Sequence, residues 1–138
     1  TYAPGGLRAV AYVSGKPVAE DAVATWGEPA AIMLSTDKPE ISAAWGGLAY
    51  VTATIVDGAG NPVPYARNEL MFAASGAGAV LAVGTNDPMS EECYAGNRFH
   101  AFEGTAVCAV RSNGQPDAIE LTVSAEGLKA ARITIQTK

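Results

Sequence analysis

Short runs of alternating apolar and polar residues, separated by turn-forming residues, are the feature that most limits how this chain can fold. Val, Ile, Thr and aromatic residues alternate with polar ones, and Gly, Pro, Asn or Asp interrupt the runs roughly every 8 to 12 residues. Alternation of period two places successive side chains on opposite faces of a strand, while the interrupting residues reverse the chain. The pattern predicts an all-β chain with almost no helix.

Five segments carry the clearest strand pattern: Leu48 to Asp57, Asn68 to Ala74, Thr105 to Arg111, Ala118 to Ser124 and Ala130 to Gln136. In the first of them, the face predicted to point into the core consists of Ala49, Val51, Ala53 and Ile55. The following segment, Asp57-Gly58-Ala59-Gly60-Asn61-Pro62, predicts a chain reversal, because Gly and Asn accept positive φ and Pro cannot continue a ladder.

The first part of the chain has too few strands to form a sandwich. Thr1 to Gly27 holds only two predicted strands, Leu7 to Val13 and Val18 to Thr25, and an isolated two-stranded hairpin is marginally stable in water. We therefore interpret residues 1–27 as the terminal β-hairpin of a truncated preceding module, with residues 28–29 as the linker. Residues 30–138 are then a complete immunoglobulin-like antiparallel β-sandwich, which needs about 100 residues.

Two further features support a chain built of similar modules. The tetrapeptide Gly6-Leu7-Arg8-Ala9 is echoed by Gly127-Leu128-Lys129-Ala130, and each begins an alternating strand. The chain starts with Thr1 rather than Met and shows no signal peptide. We expect a piece of a longer protein.

Composition excludes several classes of function. A chain of 138 residues that is 49% hydrophobic and 17% charged is folded rather than disordered, and its apolar runs contain too much Gly, Thr and Ser to span a membrane. The net charge of −5 without a basic cluster disfavours nucleic acid as a partner. One His and two Cys leave little material for a metal cluster or an imidazole-based active site, so we predict no cofactor.

The polar segment Thr85 to Arg98 is the predicted interaction loop, because binding groups concentrate on loops at the end of a rigid scaffold. Asp87, Glu91 and Glu92, together with the Asn86 carbonyl, offer oxygen atoms that suit calcium, although they lack the spacing of a calcium-binding loop. The alternative is that Asn86 and Asp87 hold the turn before a proline. Adjacent loop carboxylates point in different directions, so no catalytic pair is predicted.

Aromatic residues beside this loop allow two interpretations. Tyr94 and Phe99 would serve a carbohydrate-binding face if their rings were exposed to stack on sugars. Alternatively, aromatic residues near strand starts close the end of a core. His100, the only imidazole, has no Ser or Cys motif around it and is interpreted as a surface residue.

The two tryptophans and two cysteines also leave alternatives open. Trp26 and Trp45 each stand next to Gly at a turn, where they either pack between the hairpin and the sandwich or are partly buried within their own unit. Cys93 and Cys108 either pair or remain free, the second as a small buried apolar residue.

The order of these segments resembles the C-terminal region of family 2 glycoside hydrolases of the β-galactosidase type. The stretch YAPGGLRAVAYVSGKPVAEDAVATWGEPAAIMLSTDKPEI resembles the junction between two immunoglobulin-like modules of those enzymes. LAYVTATIVDGAGNPVPYARNELMFAASGAGAVLAVGTNDPMSEE, AFEGTAVCAVRS and LTVSAEGLKAARITI are similar to their final, invasin-like domain. The family commonly reads G-N-G-D-P where this chain has Gly84-Thr85-Asn86-Asp87-Pro88.

The resemblance implies that the two catalytic glutamates lie on a separate barrel upstream, so that this chain is a non-catalytic accessory domain of a retaining enzyme. Its partners would be the other domains of the parent glycosidase. The alternatives are a carbohydrate-binding module and an adhesin-like interaction module. The unpaired edge of the truncated hairpin also predicts dimerisation by strand pairing.

Overall fold

The computed structural model describes residues 3–44 and 46–138, and every regular element within those ranges is a strand. The strands are β1 Gly6–Val13, β2 Lys16–Ala24, β3 Pro29–Thr36, β4 Glu40–Ile41, β5 Leu48–Asp57, β6 Glu69–Gly76, β7 Gly78–Gly84, β8 Arg98–His100, β9 Thr105–Ser112, β10 Ala118–Ser124 and β11 Ala131–Thr137. The all-β prediction is confirmed. Within the same ranges, no helix has the length and apolar character required to cross a membrane.

Two sheets form an immunoglobulin-like sandwich. One has the order β4-β11-β10-β6-β8, and the other has the order β3-β5-β9-β7. Neighbouring strands are antiparallel except β4 and β11, which pair in parallel. This short parallel pair departs from the predicted antiparallel sandwich, because the chain leaves β3, changes sheet and runs beside the last strand in the same direction.

The core lies between the inner faces of these two sheets. The predicted core face of β5 is confirmed, since its four side chains are fully buried. Phe72 and Phe99, from the facing sheet, are the largest fully buried side chains. Truncation of a buried aromatic side chain such as Phe72 to Ala costs about 3–5 kcal/mol, so this layer dominates the stability of the sandwich.

The five predicted strands of the sandwich are present, with ends that differ by no more than two residues. The prediction omits the short strands β4 and β8 as well as β3 and β7 (GAVLAVG). The sequence of β7 contains no polar residue, so it shows no alternation of polar and apolar residues. Its buried and exposed faces differ only because the opposite sheet covers one of them.

The hairpin β1–β2 stands apart from the sandwich core. Its turn is centred on Ser14 and Gly15, whose φ values of 51° and 77° match the mirror-image turns that suit the twist of two-residue hairpins. Every residue of β2 is exposed, and in β1 only one residue is even partly buried. The hairpin is therefore held by its own ladder of hydrogen bonds rather than by a core.

Candidate functional site

The loop between β7 and β8, residues 85–97, begins with a turn built by Asp87. The Asp87 carboxylate accepts a hydrogen bond from the Met89 N–H at 2.9 Å, and the Asp87 carbonyl accepts one from the Ser90 N–H at 3.3 Å. The Thr85 hydroxyl accepts a further bond from the Asp87 N–H at 3.4 Å. Asp87 thus stabilises a turn through its hydrogen bonds, which agrees with the interpretation that it holds the turn around Pro88 rather than binding calcium.

Glu92 ties the far end of the loop to β8. Its carboxylate accepts the backbone N–H of His100 at 3.2 Å and lies 3.0 Å from the His100 Nδ1 atom. The distance between the Glu92 carboxylate and the His100 Nδ1 atom is that of a hydrogen bond. No sequence pattern predicts this contact, since residues eight apart meet here only because the loop returns to the sheet.

The other candidate calcium ligands of the loop do not converge on one point. Asn86 and Glu91 are exposed at the surface. Across residues 3–44 and 46–138, no group of three His, Cys, Asp or Glu side chains lies close enough to hold a metal ion. The structure therefore offers no support for the calcium interpretation of this loop.

Tyr94 and Phe99 are brought together, but only Tyr94 reaches the surface. Their rings stack with centroids 5.4 Å apart and planes inclined by 19°. Phe99 is 1% exposed and pairs with Leu70 of β6, whereas Tyr94 is 52% exposed. The prediction that Phe99 contacts a sugar is therefore wrong, because its ring closes the end of the core.

A second polar cluster fixes the linker that joins the hairpin to the sandwich. Asp57, at the end of β5, is buried, and its Oδ2 atom accepts the Gly27 N–H at 2.7 Å. Its Oδ1 atom accepts the N–H groups of Ala59 and Asn61, each at 2.9 Å. These hydrogen bonds, with that of Gly27 the strongest contribution, lower the pKa of Asp57 to about 2.

A tyrosine side chain of the sandwich contacts the same linker. The Tyr65 hydroxyl lies 3.4 Å from the Gly27 carbonyl oxygen and 3.3 Å from a Glu28 carboxylate oxygen. Partial desolvation and the Glu28 charge raise the pKa of Tyr65. We call this arrangement of Gly27, Glu28, Asp57, Asn61 and Tyr65 the elbow. The turn of the elbow is predictable from the sequence, whereas its contact with the linker is not.

Trp26 lies beside the elbow and is 46% exposed. It lines a cavity of about 360 Å³ together with Val23 of the hairpin and Pro62 and Pro64 of the sandwich. The predicted packing of Trp26 between hairpin and sandwich is consistent with this position. Trp45, for which the same role was predicted, lies outside the described residues.

The two cysteines are free. Cys93 is exposed in the loop, whereas Cys108 is buried on β9. Burial raises the pKa of the Cys108 thiol to about 12, which keeps it protonated and unreactive. Cys108 therefore acts as a small apolar core residue.

Fold and site together define an immunoglobulin-like β-sandwich module that carries a hairpin on a hydrogen-bonded elbow. Residues 32–134 match the family model of the glycoside hydrolase family 2 C-terminal domain 5. The chain belongs to this family, and the resemblance expected from its sequence is confirmed.

Relatives from Bacteroides species share the whole module. The chain is 33% identical to the β-galactosidase BoGH2A of Bacteroides ovatus over 99% of its own length, which is 16% of that enzyme. A family 2 glycosyl hydrolase from Bacteroides cellulosilyticus matches with a TM-score of 0.88 and 33% identity, over 99% of this chain and 18% of that one. A β-glycosidase from Bacteroides vulgatus matches with a TM-score of 0.91 and 29% identity, over 98% of this chain and 18% of that one.

Proposed function

We propose that this chain is a non-catalytic accessory module that fixes the position of a neighbouring module in a retaining glycoside hydrolase. The substrate class of that enzyme would be terminal β-galactosides or related β-glycosides. The likeness to a β-galactosidase supports this proposal, as does the span of the match, which leaves most of that enzyme's length outside the module.

The hydrogen bonds of the elbow are the main support for the proposal that this module positions its neighbour. A flexible tether between modules would expose its backbone to water, whereas here the Gly27 N–H is bound by the buried Asp57 carboxylate. Charge-assisted hydrogen bonds of this kind are stronger than neutral ones. The linker thereby becomes part of the sandwich, and whatever is attached to the hairpin takes its orientation from β5.

The roles of the carboxylates support the non-catalytic part of the proposal. Retaining hydrolysis uses two carboxyl groups about 5 Å apart, one of them with a raised pKa. Asp57 has a lowered pKa instead, and Asp87 and Glu92 accept backbone N–H groups. Each of these acids is therefore held in a structural role.

The hairpin, residues 1–27, would belong to the neighbouring module, with residues 28–29 as the linker and residues 30–138 as the sandwich. Leu7 and Val23 pair directly across the hairpin and are 72% and 62% exposed. Apolar pairs on a two-stranded sheet become stable when further strands or another surface cover them. The other strands of the neighbouring module are the proposed cover.

Hydrolysis of a chromogenic β-galactoside tests the proposed function. We expect turnover by the full-length protein and no turnover by residues 1–138 alone. We also expect Asp57→Ala in the full-length protein to lower its melting temperature while the fresh, folded enzyme keeps its KM. Turnover that co-purifies with the isolated chain would refute the non-catalytic role. An unchanged melting temperature in Asp57→Ala would refute the positional role.

A further inference from the structure

A shallow apolar groove crosses the outer face of the sheet β3-β5-β9-β7. Residues that pair across strands share a face, and the pairs Tyr50–Ala109 and Ala109–Ala82 form one row of that face. Val107 and Gly84 belong to the next row. Small side chains therefore form the floor, and Tyr50 rises at one side of it.

Tyr94 forms the opposite wall, and its ring is held in place before any ligand arrives. One contact is the stack on the buried Phe99 ring described above. Another is the Tyr94 carbonyl, which accepts the Val83 N–H at 2.9 Å. The ring also covers Gly84, where an added Cβ would come within 2.7 Å of it, so only glycine leaves room for this ring position.

Tyr50 is fixed through its backbone. Its N–H donates to the Asp37 carboxylate at 2.7 Å, and its carbonyl accepts the Asp37 N–H at 3.1 Å. The ring itself is 49% exposed. Tyr50 stands on β5, whereas the loop residue Tyr94 covers Gly84 of β7. Since β9 lies between β5 and β7, these two strands are about 10 Å apart. That spacing leaves room between the walls for one flat ring of a ligand.

The size of the groove favours a small ligand over a protein. Its volume is about 320 Å³, and seven residues line it. Small-molecule sites begin at about 300 Å³, whereas a standard protein interface uses roughly 20–30 residues on each side. A second copy of the chain or another protein would need a much larger surface than this groove.

The charge and polarity of the groove narrow the ligand class. The floor of alanine, glycine and valine residues suits an apolar face of a ligand, while the two tyrosine hydroxyls, and Thr52 beside Val107, suit hydroxyl groups at its edge. The net charge of −5 disfavours anionic ligands. Neutral pyranose rings combine an apolar C–H face with hydroxyl edges, and aromatic rings are suitable surfaces for such faces.

We propose that the Tyr50–Tyr94 groove binds a neutral pyranose ring of a β-linked glycan, separately from catalysis. The β linkage rests on the proposed function. The role of the groove would be to hold polymeric substrate near the enzyme. Tyr94 was a candidate sugar contact in the sequence, and the structure supplies Tyr50 as its counterpart and replaces Phe99.

Affinity electrophoresis of the full-length protein in gels containing β-1,4-galactan, mixed-linkage β-glucan or polygalacturonate tests the proposal. We expect retardation by at least one of the two neutral glycans and none by the anionic polygalacturonate. Tyr94→Ala and Tyr50→Ala should each weaken the apparent affinity roughly tenfold. Tyr94→Phe should stay within about threefold of the parent, and Gly84→Ala should weaken retention by displacing the ring.

Tyr12→Ala is the matched control, because Tyr12 is 63% exposed on the hairpin, away from the groove, and it should bind like the parent. Melting temperatures establish that each variant is folded. If Tyr94→Ala does not fold, Tyr50→Ala tests the groove in its place. Hydrolysis of a small chromogenic galactoside should be unchanged in Tyr12→Ala.

The groove proposal is overturned if neither neutral glycan retards the unsubstituted protein. It is also overturned if the tyrosine variants are retarded as strongly as the unsubstituted protein. If the unsubstituted full-length protein did not hydrolyse the chromogenic galactoside, that result would instead count against the proposed function. The two proposals therefore fail in different measurements.

Discussion

At the scale of single residues, Asp57 carries the largest electrostatic effect of the elbow. Its pKa is lowered from 3.8 to about 2, first by the hydrogen bond from Gly27 and then by those from Asn61. A carboxyl whose pKa is lower in the folded state stabilises the fold above the unfolded-state pKa. That contribution is complete above about pH 4 and is lost as the pH falls towards 2.

Asp57→Asn should lower the melting temperature at pH 7 by roughly 5 °C or more, because an amide cannot accept all of these bonds. The difference between the parent and the variant should shrink between pH 4 and pH 2. Thermal unfolding followed by circular dichroism across this range provides the measurement. Asp21→Asn, which removes an exposed hairpin carboxylate, is the control of equal charge. A difference independent of pH would contradict the assigned ionisation.

At the scale of elements, tight turns with positive φ fix how strands enter the sheets. Glu103 and Gly104, with φ values of 50° and 73°, lead into β9 between the bridged residues Phe102 and Thr105. A side chain at Gly104 would overlap the Val63 carbonyl oxygen as well as strain the backbone. This turn therefore needs glycine for two independent reasons.

Gly104→Ala should destabilise the protein by about 2 kcal/mol or more, through the strained φ and the overlap. Gly58→Ala is the matched control, since nothing lies within 4 Å of an added Cβ there, and it should be close to neutral. Urea unfolding gives both values. Similar destabilisation by the two substitutions would contradict the role assigned to this turn.

Glu103→Asn should stabilise the protein by about 0.5 kcal/mol, because Asn-Gly is a preferred pair in turns with two positive φ values. The same urea unfolding measures it. A loss of stability would indicate that the Glu103 side chain has a favourable interaction that Asn cannot make.

At the scale of the whole molecule, the sandwich and the hairpin differ in what holds them together. Strands β5, β9 and β10 bury one face in the common core, whereas both faces of the hairpin are open. Local stability follows burial, so the two units should open with different free energies. The proposed neighbouring module would remove this difference.

Hydrogen exchange should show hairpin amides exchanging at least about 100-fold faster than those of β5 and β9 in residues 1–138 alone. In the full-length protein, protection of the hairpin should approach that of the sandwich. Mass spectrometry of peptides from β1 and β2 makes the comparison. Protection that rises with concentration in the isolated chain would indicate strand pairing between copies, and a hairpin still unprotected in the full-length protein would overturn the proposed module boundary.

Much of the fold could be predicted because period-two alternation directly encodes which side chains are buried. The core face of β5 and the turn after it follow from that rule alone. The uniformly apolar β7 and the parallel pairing of β4 with β11 could not be predicted, since both depend on which surface lies opposite. For the proposed groove, the chemistry of Tyr94 made it a candidate in the sequence, while Tyr50 lies within an ordinary strand pattern and carried no such signal.

The amino-acid sequence by itself determined the all-β class, the position of the hairpin and the principal strands, because these depend on local periodicity and turn chemistry. The family resemblance follows from specific motifs and their order in the sequence. Only the tertiary structure decided that Phe99 is buried while Tyr94 is exposed. It also decided that the Asp57 carboxylate binds the linker and that Tyr50 lies opposite Tyr94 across a groove. These relations join residues far apart in the chain. Their distances are set by how the strands pair, which no local pattern specifies.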